Sequence, residues 1–489
     1  MTATHGTNVI AVDQGTTGTK AFRLSGDGGF TKIHSSTHRQ FYPHPGWVEH
    51  DPEELYTHVA RAIDAGSQGG AASGVGLANQ GETVVAWHAR TKKPVYNAIV
   101  WQDQRTADSI EHLRADGAET LTLERAGLPL DAYYSATKIR WILDNVPASR
   151  SLLDKGLLRA GTSDAFFLDR LTGVHATDVT TASRTSLMNL YTLTWDEDLC
   201  RLFGIPVEIL PEIKSTTDDF GVLGSGFARM PLTASITDQQ AALFGHHCVH
   251  QGDAKITFGT GAFALVNTGS KPIFYPDTGI GATVAWRLGK QPAVYAMDGA
   301  LFNAASAVDW VKRLGLFSEL AELDTLASPM ACEKGVYFVP ALSGLACPHW
   351  DRRAAGLWIG MDLDTRRRDM IKSVLEGVAF RTHELVHAIS LPAKRPRSIS
   401  IDGGLAGNLY FCTVLANTLG MEIVVPDITD ITGVGTALLA LAGTGFADRV
   451  EMLPGVWRPR HRFQPETDMS RYQNCFHTAV TRAKKWRQS

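Results

Sequence analysis

Two short glycine- and threonine-rich stretches, far apart in the chain, restrict the fold more than any other feature. Residues 8–26 read NVIAVDQGTTGTKAFRLSG, and residues 255–269 read KITFGTGAFALVNTG. Each is an apolar run, a tight turn that needs glycine, and a second apolar run, which predicts a β-hairpin. At such a turn, backbone N–H groups and threonine hydroxyls can surround a phosphate with no bulky side chain in between. The return of the pattern, with Asp13 closing the first strand, predicts two similar halves facing one polyphosphate.

Between and beyond the hairpins, apolar strands alternate with helical stretches, which predicts an α/β class rather than a sandwich or a bundle. Strands are expected near 9–12, 21–24 and 74–78, and again near 254–257, 262–267, 336–340 and 399–402. Helices are expected near 52–65, 135–145, 304–314, 368–388 and 409–419. The polar break His250-Gln-Gly-Asp253 predicts two domains, 1–249 and 250–489, packed around a cleft. With 44% hydrophobic and 20% charged residues in 489, the chain can bury a large core. A net charge of -3 gives no general attraction to nucleic acid or to an anionic membrane, so a small-molecule partner is expected. No apolar run reaches membrane-spanning length and no signal-peptide pattern opens the chain; a cytoplasmic protein is expected. Six cysteines without a C-x-x-C pair fit free thiols, and the cluster His246, His247, Cys248 and His250 matches no ordinary metal-ligand spacing.

Four further segments carry chemistry. In Thr237-Asp238-Gln239-Gln240, Asp238 stands at the expected start of a helix, as a cap or as a carboxylate that accepts a hydroxyl proton. In Asn79-Gln80-Gly81-Glu82-Thr83, just past an apolar strand, Glu82 is either a solvated turn residue or a group that fixes substrate hydroxyls. In Trp101-Gln102-Asp103-Gln104-Arg105, an aromatic wall sits beside hydrogen-bonding groups, the combination a polyol needs, with plain core as the competing reading of Trp101. In Asp402-Gly403-Gly404-Leu-Ala-Gly-Asn408, two glycines let the backbone approach a nucleotide, and Asn408 could reach a ribose or phosphate oxygen. No G-x-x-x-x-G-K-[ST] sequence occurs, so any nucleotide must use another phosphate cradle.

Together with Gly46-Trp-Val-Glu-His-Asp-Pro52, Tyr96 to Asp103, Lys138 to Val146, Ala182-Ser-Arg-Thr185 and Asp238 to Gly245, these stretches resemble the FGGY carbohydrate kinases from residue 8 to about 445, and within them the glycerol kinase branch. The resemblance implies two actin-like (ribonuclease H-like) domains flanking a catalytic cleft, with ATP and Mg²⁺ held mainly by the second and a small polyol or sugar by the first. It assigns Thr16, Thr17, Gly18 and Lys20 to one phosphate loop and Gly259 and Thr260 to the other. Gly404 and Asn408 fall at adenine-nucleotide positions, and Asp13 at the acidic position near Mg²⁺. Asp238 matches the general base, while Glu82, Trp101, Tyr133, Gln239 and Phe263 fall at polyol-contacting positions. A homodimer or homotetramer is the implied assembly.

Departures from the branch shape the expectation. Gly81 stands where glycerol kinases carry an arginine, which removes charge-assisted hydrogen bonds of roughly 1.5–3 kcal/mol each to a glycerol hydroxyl. Weak glycerol binding is therefore expected, with room for a larger acceptor such as erythritol, a pentitol or xylulose. Thr237 replaces the glycine before the base, and Ala305 and Asp309 replace the branch's Gly and Gln on the nucleotide side. Gly226-Phe-Ala-Arg229 replaces a Gly-Gly-Arg turn, so sugar-bisphosphate control is expected to be lost. The alternative from another class is an actin-like nucleotide switch, which needs no polyol pocket.

Overall fold

The computed structural model describes residues 7–70, 72–275, 279–390, 396–447 and 449–487. Both hairpins are present and each nucleates a sheet. The strands Asn8–Gln14 and Gly18–Ser25 pair antiparallel, with Asp13 opposite Lys20, and the turn closes with Gly15 N donating to Gly18 O at 3.0 Å. Ala254–Phe258 and Ala262–Gly269 pair in the same way.

The two sheets are built alike. In the first, the strand order is Leu232–Thr237, Gly74–Asn79, Asn8–Gln14, Gly18–Ser25, Phe30–Thr37. The leading hairpin strand pairs in parallel with Gly74–Asn79, which pairs in parallel with Leu232–Thr237. In the second, Ala254–Phe258 is followed on its parallel side by Ser398–Gly403 and Glu422–Pro426, and on the hairpin side by Ala262–Gly269 and Val294–Leu301. Helices cover the sheet faces, so the central strands read as continuous apolar runs: Val9, Ile10, Ala11 and Val12 are all fully buried.

Local signals explain the helices. Pro52–Ser67 starts with Asp51 accepting from Glu53 N and proline in the first turn, and it buries Leu55, Val59, Ala62 and Ile63 in a core shared with the first sheet. Arg367–Ser390 and Leu409–Leu419 pack beside the second sheet. One helix crosses the expected boundary at residue 249. Ile431–Gly443 lies in the second half of the chain but packs on the first sheet and on helix Asp238–Gly245. Its Val434, Ala437, Leu438 and Leu441 join Val9, Ala11 and Ile236 in one core. Small residues permit the approach: a Cβ at Gly76 would lie 2.8 Å from Thr436 O. The two halves therefore share a core as well as a cleft.

Candidate active site

Parallel pairing aligns the chemistry. Gln14, Asn79 and Thr237 sit in one register across the first sheet, so the first hairpin turn, the Gly81–Thr83 turn and Asp238 leave the same carboxyl edge. In the second sheet Phe258 pairs with Gly403, so the turns beginning at Gly259 and Gly404 also emerge side by side. Such edges are where open α/β sheets bind ligands.

A cavity of ≈ 600 Å³ lies between these edges. Thr16 and Thr17 line it from one hairpin, and Gly259, Thr260 and Gly261 from the other. The second turn is tied to the helix Ala305–Arg313 by Ala304 N and Ser306 N, which donate to Thr260 O at 2.9 and 3.2 Å. Trp101, Tyr133 and Phe263 close one end of the cavity as an aromatic corner, with ring centroids 5.6 Å (Trp101–Tyr133) and 6.0 Å (Trp101–Phe263) apart, edge to face. Trp101 is not plain core: its ring borders the cavity, and its Nε1 donates to Thr16 Oγ1 at 2.9 Å. The aromatic wall is thus hydrogen-bonded to the first loop.

Glu82 is not a solvated turn residue. It is 3% exposed, has φ 59°, and sits where Thr83 N donates to Gly81 O at 2.7 Å. This tight three-residue turn holds a side chain in a sparsely populated backbone region, a kind of strain concentrated at functional sites. Its carboxylate accepts from Arg184 Nε at 2.6 Å, and Arg184 Nη2 reaches Asp298 Oδ2 at 2.7 Å in the other half of the chain. Burial raises the Glu82 carboxyl above its ordinary range while the Arg184 charge opposes that rise. Arg184 Nη1 is buried without a hydrogen-bond partner among the described residues. Behind Tyr133, the buried Lys138 ammonium donates to the carbonyls of Tyr133 and Tyr134 at 2.5 and 3.0 Å, fixing the loop that carries the ring. Burial pulls the Lys138 pKa down to about 8.

Asp238 is the first residue of the helix Asp238–Gly245, with Thr237 in the capping position; it is therefore not the helix cap, although its Oδ1 accepts from Gln239 N at 2.6 Å. It is half-buried on the cavity wall. Burial raises its pKa to about 7, with the negative charges of Asp13 and Glu82 acting in the same direction. Such a group is poised to take up a proton near neutrality. Gln239 beside it accepts from the buried Lys255 Nζ at 2.5 Å. Burial likewise lifts Asp13 to about 6 against the pull of Lys20. No group of three or more His, Cys, Asp or Glu among the described residues is arranged to hold a metal. Mg²⁺ in nucleotide enzymes commonly takes only one or two carboxylates and completes its shell with phosphate oxygens and water. The hard oxygens of Asp13, disfavoured as a bare anion by burial, fit that requirement.

Other expected contacts lie away from the cavity wall. Lys20 Nζ is engaged by Asp430 Oδ1 at 2.8 Å, and Lys32 meets the other oxygen at 2.9 Å. Gly18 allows strand approach: a Cβ there would lie 2.6 Å from Ser36 O. Asn408 caps its helix, accepting from Phe411 N at 2.8 Å and donating to Leu323 O at 3.2 Å, while Gly404 faces open space. Conversely, Arg184, Asp298 and Lys255 are at the site with no role read from sequence. Arg184 lay within the Ala182–Thr185 stretch, but its partner Glu82 is 102 residues away.

The N-terminal domain model of the FGGY family of carbohydrate kinases matches residues 8–245, and the C-terminal domain model matches residues 254–444. The chain belongs to the FGGY family of carbohydrate kinases. A glycerol kinase of Thermus brockianus is 41% identical over 491 residues, covering 98% of this chain and 99% of the relative. One of Haloferax volcanii is 39% identical over 481 residues, 94% of each chain. Among solved structures, Plasmodium falciparum glycerol kinase with ADP superposes with a TM-score of 0.90 at 31% identity, covering 98% of each chain. Xylulose kinase from Lactobacillus acidophilus, at 20% identity and a TM-score of 0.86, shares the fold. The two sheets are thus the actin-like pair of an FGGY kinase. In this FGGY kinase the space beside Gly81 is not vacant at its base: a Cβ there would lie 2.7 Å from Thr237 Cγ2. The Thr237 methyl therefore stands where a side chain at position 81 would begin, and the near end-to-end likeness to glycerol kinases does not favour the larger acceptor.

Proposed function

We propose that this FGGY kinase transfers the γ-phosphoryl group of ATP to a terminal hydroxyl of a short polyol, glycerol being the acceptor, with Asp238 as general base. The observation that carries the reading is a carboxylate with pKa raised to about 7, standing in one cavity with the aromatic corner and both glycine-threonine turns. Glu82, Trp101, Tyr133, Gln239 and Phe263 bind the acceptor, its apolar edge against the rings and its hydroxyls toward the carboxylate. Thr16, Thr17, Gly259 and Thr260 cradle the phosphates, with Gly404 near the nucleoside. Gly18 and Asn408 act through the shapes of the loop and helix end they support, and Lys20 through the field it places on Asp13.

As the acceptor oxygen attacks phosphorus, its proton passes to an Asp238 carboxylate oxygen, so a base titrating near neutrality is matched to the step. Asp13 is the residue that would hold Mg²⁺, which would neutralise charge on the phosphates. Closure of the two halves over the cavity excludes water as a competing acceptor. Named relatives matching nearly end to end favour glycerol over a longer acceptor. A polyol pocket with a base in it speaks against a pure nucleotide switch. A cytoplasmic homodimer or homotetramer is the setting proposed; no helix among the described residues is long and apolar enough to cross a membrane.

The test is ADP release from Mg-ATP with glycerol, erythritol, pentitols and xylulose offered in turn. Glycerol-dependent turnover that is abolished in Asp238→Asn is expected. Turnover independent of any polyol, or retained in that variant, refutes the assignment.

A further inference from the structure

We propose that Gly81 and Thr237 form one size-matched contact whose function is to aim Asp238 at the acceptor. This rests on the kinase reading above and assigns Thr237 as a positioning residue. Gly81 lines the cavity and its φ lies outside the left-handed region, so its backbone does not require glycine. What excludes a side chain is Thr237 alone. A Cβ at position 81 would lie 2.7 Å from Thr237 Cγ2, whereas the next nearest atoms, Thr237 Oγ1 and Cβ, are 3.9 and 4.0 Å away.

Thr237 has little freedom to yield. It is 2% exposed, pairs with Asn79 in the sheet, donates from its N to Thr180 Oγ1 at 3.0 Å and shares a hydrogen bond with Thr181 Oγ1 at 3.0 Å. Those threonines are anchored in turn: Asp178 accepts from the backbone N–H and the hydroxyl of both. Thr237 also occupies the capping position of the helix whose first residue is Asp238. Any push on its methyl is therefore passed through one peptide unit to the base. Positions 81 and 237, distant in sequence and each a departure from the glycerol kinase branch, compete for the space of this one methyl group: a Cβ at 81 and the Thr237 methyl cannot both be held there. A side chain at 81 should consequently damage turnover rather than only binding, since a base displaced by well under 1 Å loses its near-attack geometry.

The experiment is a double-mutant cycle of Gly81→Ala and Thr237→Ser, the latter removing the methyl while keeping the hydroxyl and its partners. The readouts are kcat and KM for glycerol and ATP, with a melting temperature for each variant. Gly81→Ala is expected to lower kcat about tenfold or more with KM for ATP within about twofold. The double variant is expected to recover kcat to within about threefold of wild type. A Gly81→Ala protein with wild-type kcat, or a double variant no better than Gly81→Ala, overturns the proposal. If Gly81→Ala alone does not fold, the double variant decides: a folded, active protein supports the contact, and a second failure overturns it. If the wild type consumes no ATP with any polyol, it is the kinase reading that has failed; the contact is then tested by whether Thr237→Ser restores the melting temperature lost in Gly81→Ala.

Discussion

Replacing Asp238 by asparagine should abolish turnover and at the same time stabilise the protein. The carboxyl moves from an ordinary value of 3.8 to about 7 in the fold, chiefly through burial. At 1.36 kcal/mol per unit, the ionised group would cost the folded state about 4 kcal/mol at pH 8. Because Asp238 is only half-buried on the wall of an open cavity, solvent screening reduces this to about half, about 2 kcal/mol. The sign follows from proton binding. The folded state holds this proton more tightly than the unfolded chain, so the favourable contribution is complete below pH 4 and is lost as pH rises through 7. Asparagine has no such dependence, and it also relieves the repulsion between Asp238 and Asp13. Thermal unfolding of nucleotide-free, magnesium-free protein should put Asp238→Asn about 2–4 °C above wild type at pH 8, with about a third of that gap left at pH 5. Activity should fall by about 10²–10⁴-fold in the same variant. A gap independent of pH, or a variant less stable than wild type at pH 8, would refute the electrostatic reasoning.

Three other outcomes follow from the same geometry. In wild type, kcat/KM for glycerol should fall about tenfold per unit below pH 7 as Asp238 gains its proton, and a profile flat to pH 5 would remove it as base. Arg184→Lys keeps the charge but loses the fork that joins Glu82 to Asp298, so KM for glycerol should rise about tenfold while KM for ATP stays within about twofold, measured by steady-state kinetics. Trp101→Phe keeps most of the wall but removes the bond to Thr16; a loss of about 1 kcal/mol, or roughly fivefold in kcat/KM, is expected.

The hairpins and most helices were legible because their signals are local: glycine at the turns, apolar runs on buried strands, and a proline-led first turn at Pro52. The helix Ile431–Gly443 carried no comparable signal. It is apolar nearly all round, and which sheet an all-apolar helix joins is decided by tertiary packing. At the site, Asp238 and Glu82 were legible as carboxylates at strand ends, whereas the fate of Glu82 depended on Arg184 and Asp298, partners 102 and more residues away. The absent arginine at position 81 was legible, but not that the Thr237 methyl stands against the Cβ position there, because residues 81 and 237 meet only through the pairing of their strands.

These residues share one physical character: each is unfavourable where it stands. Glu82 is held at φ 59°, Asp238 is pushed to about 7 and Asp13 to about 6 by burial, and the Lys138 ammonium is pulled down to about 8 beneath the aromatic corner. None of these would survive in a loosely packed chain, since each costs on the order of 1–3 kcal/mol that the surrounding core must offset. The shared core beneath the cleft, where the helix Ile431–Gly443 binds the first sheet, is the structure able to do so. Substitutions that loosen it, far from any ligand, should therefore let Asp238 and Asp13 relax toward ordinary carboxylate pKa values. The acid limb of the activity profile would then move to lower pH before the fold itself is lost.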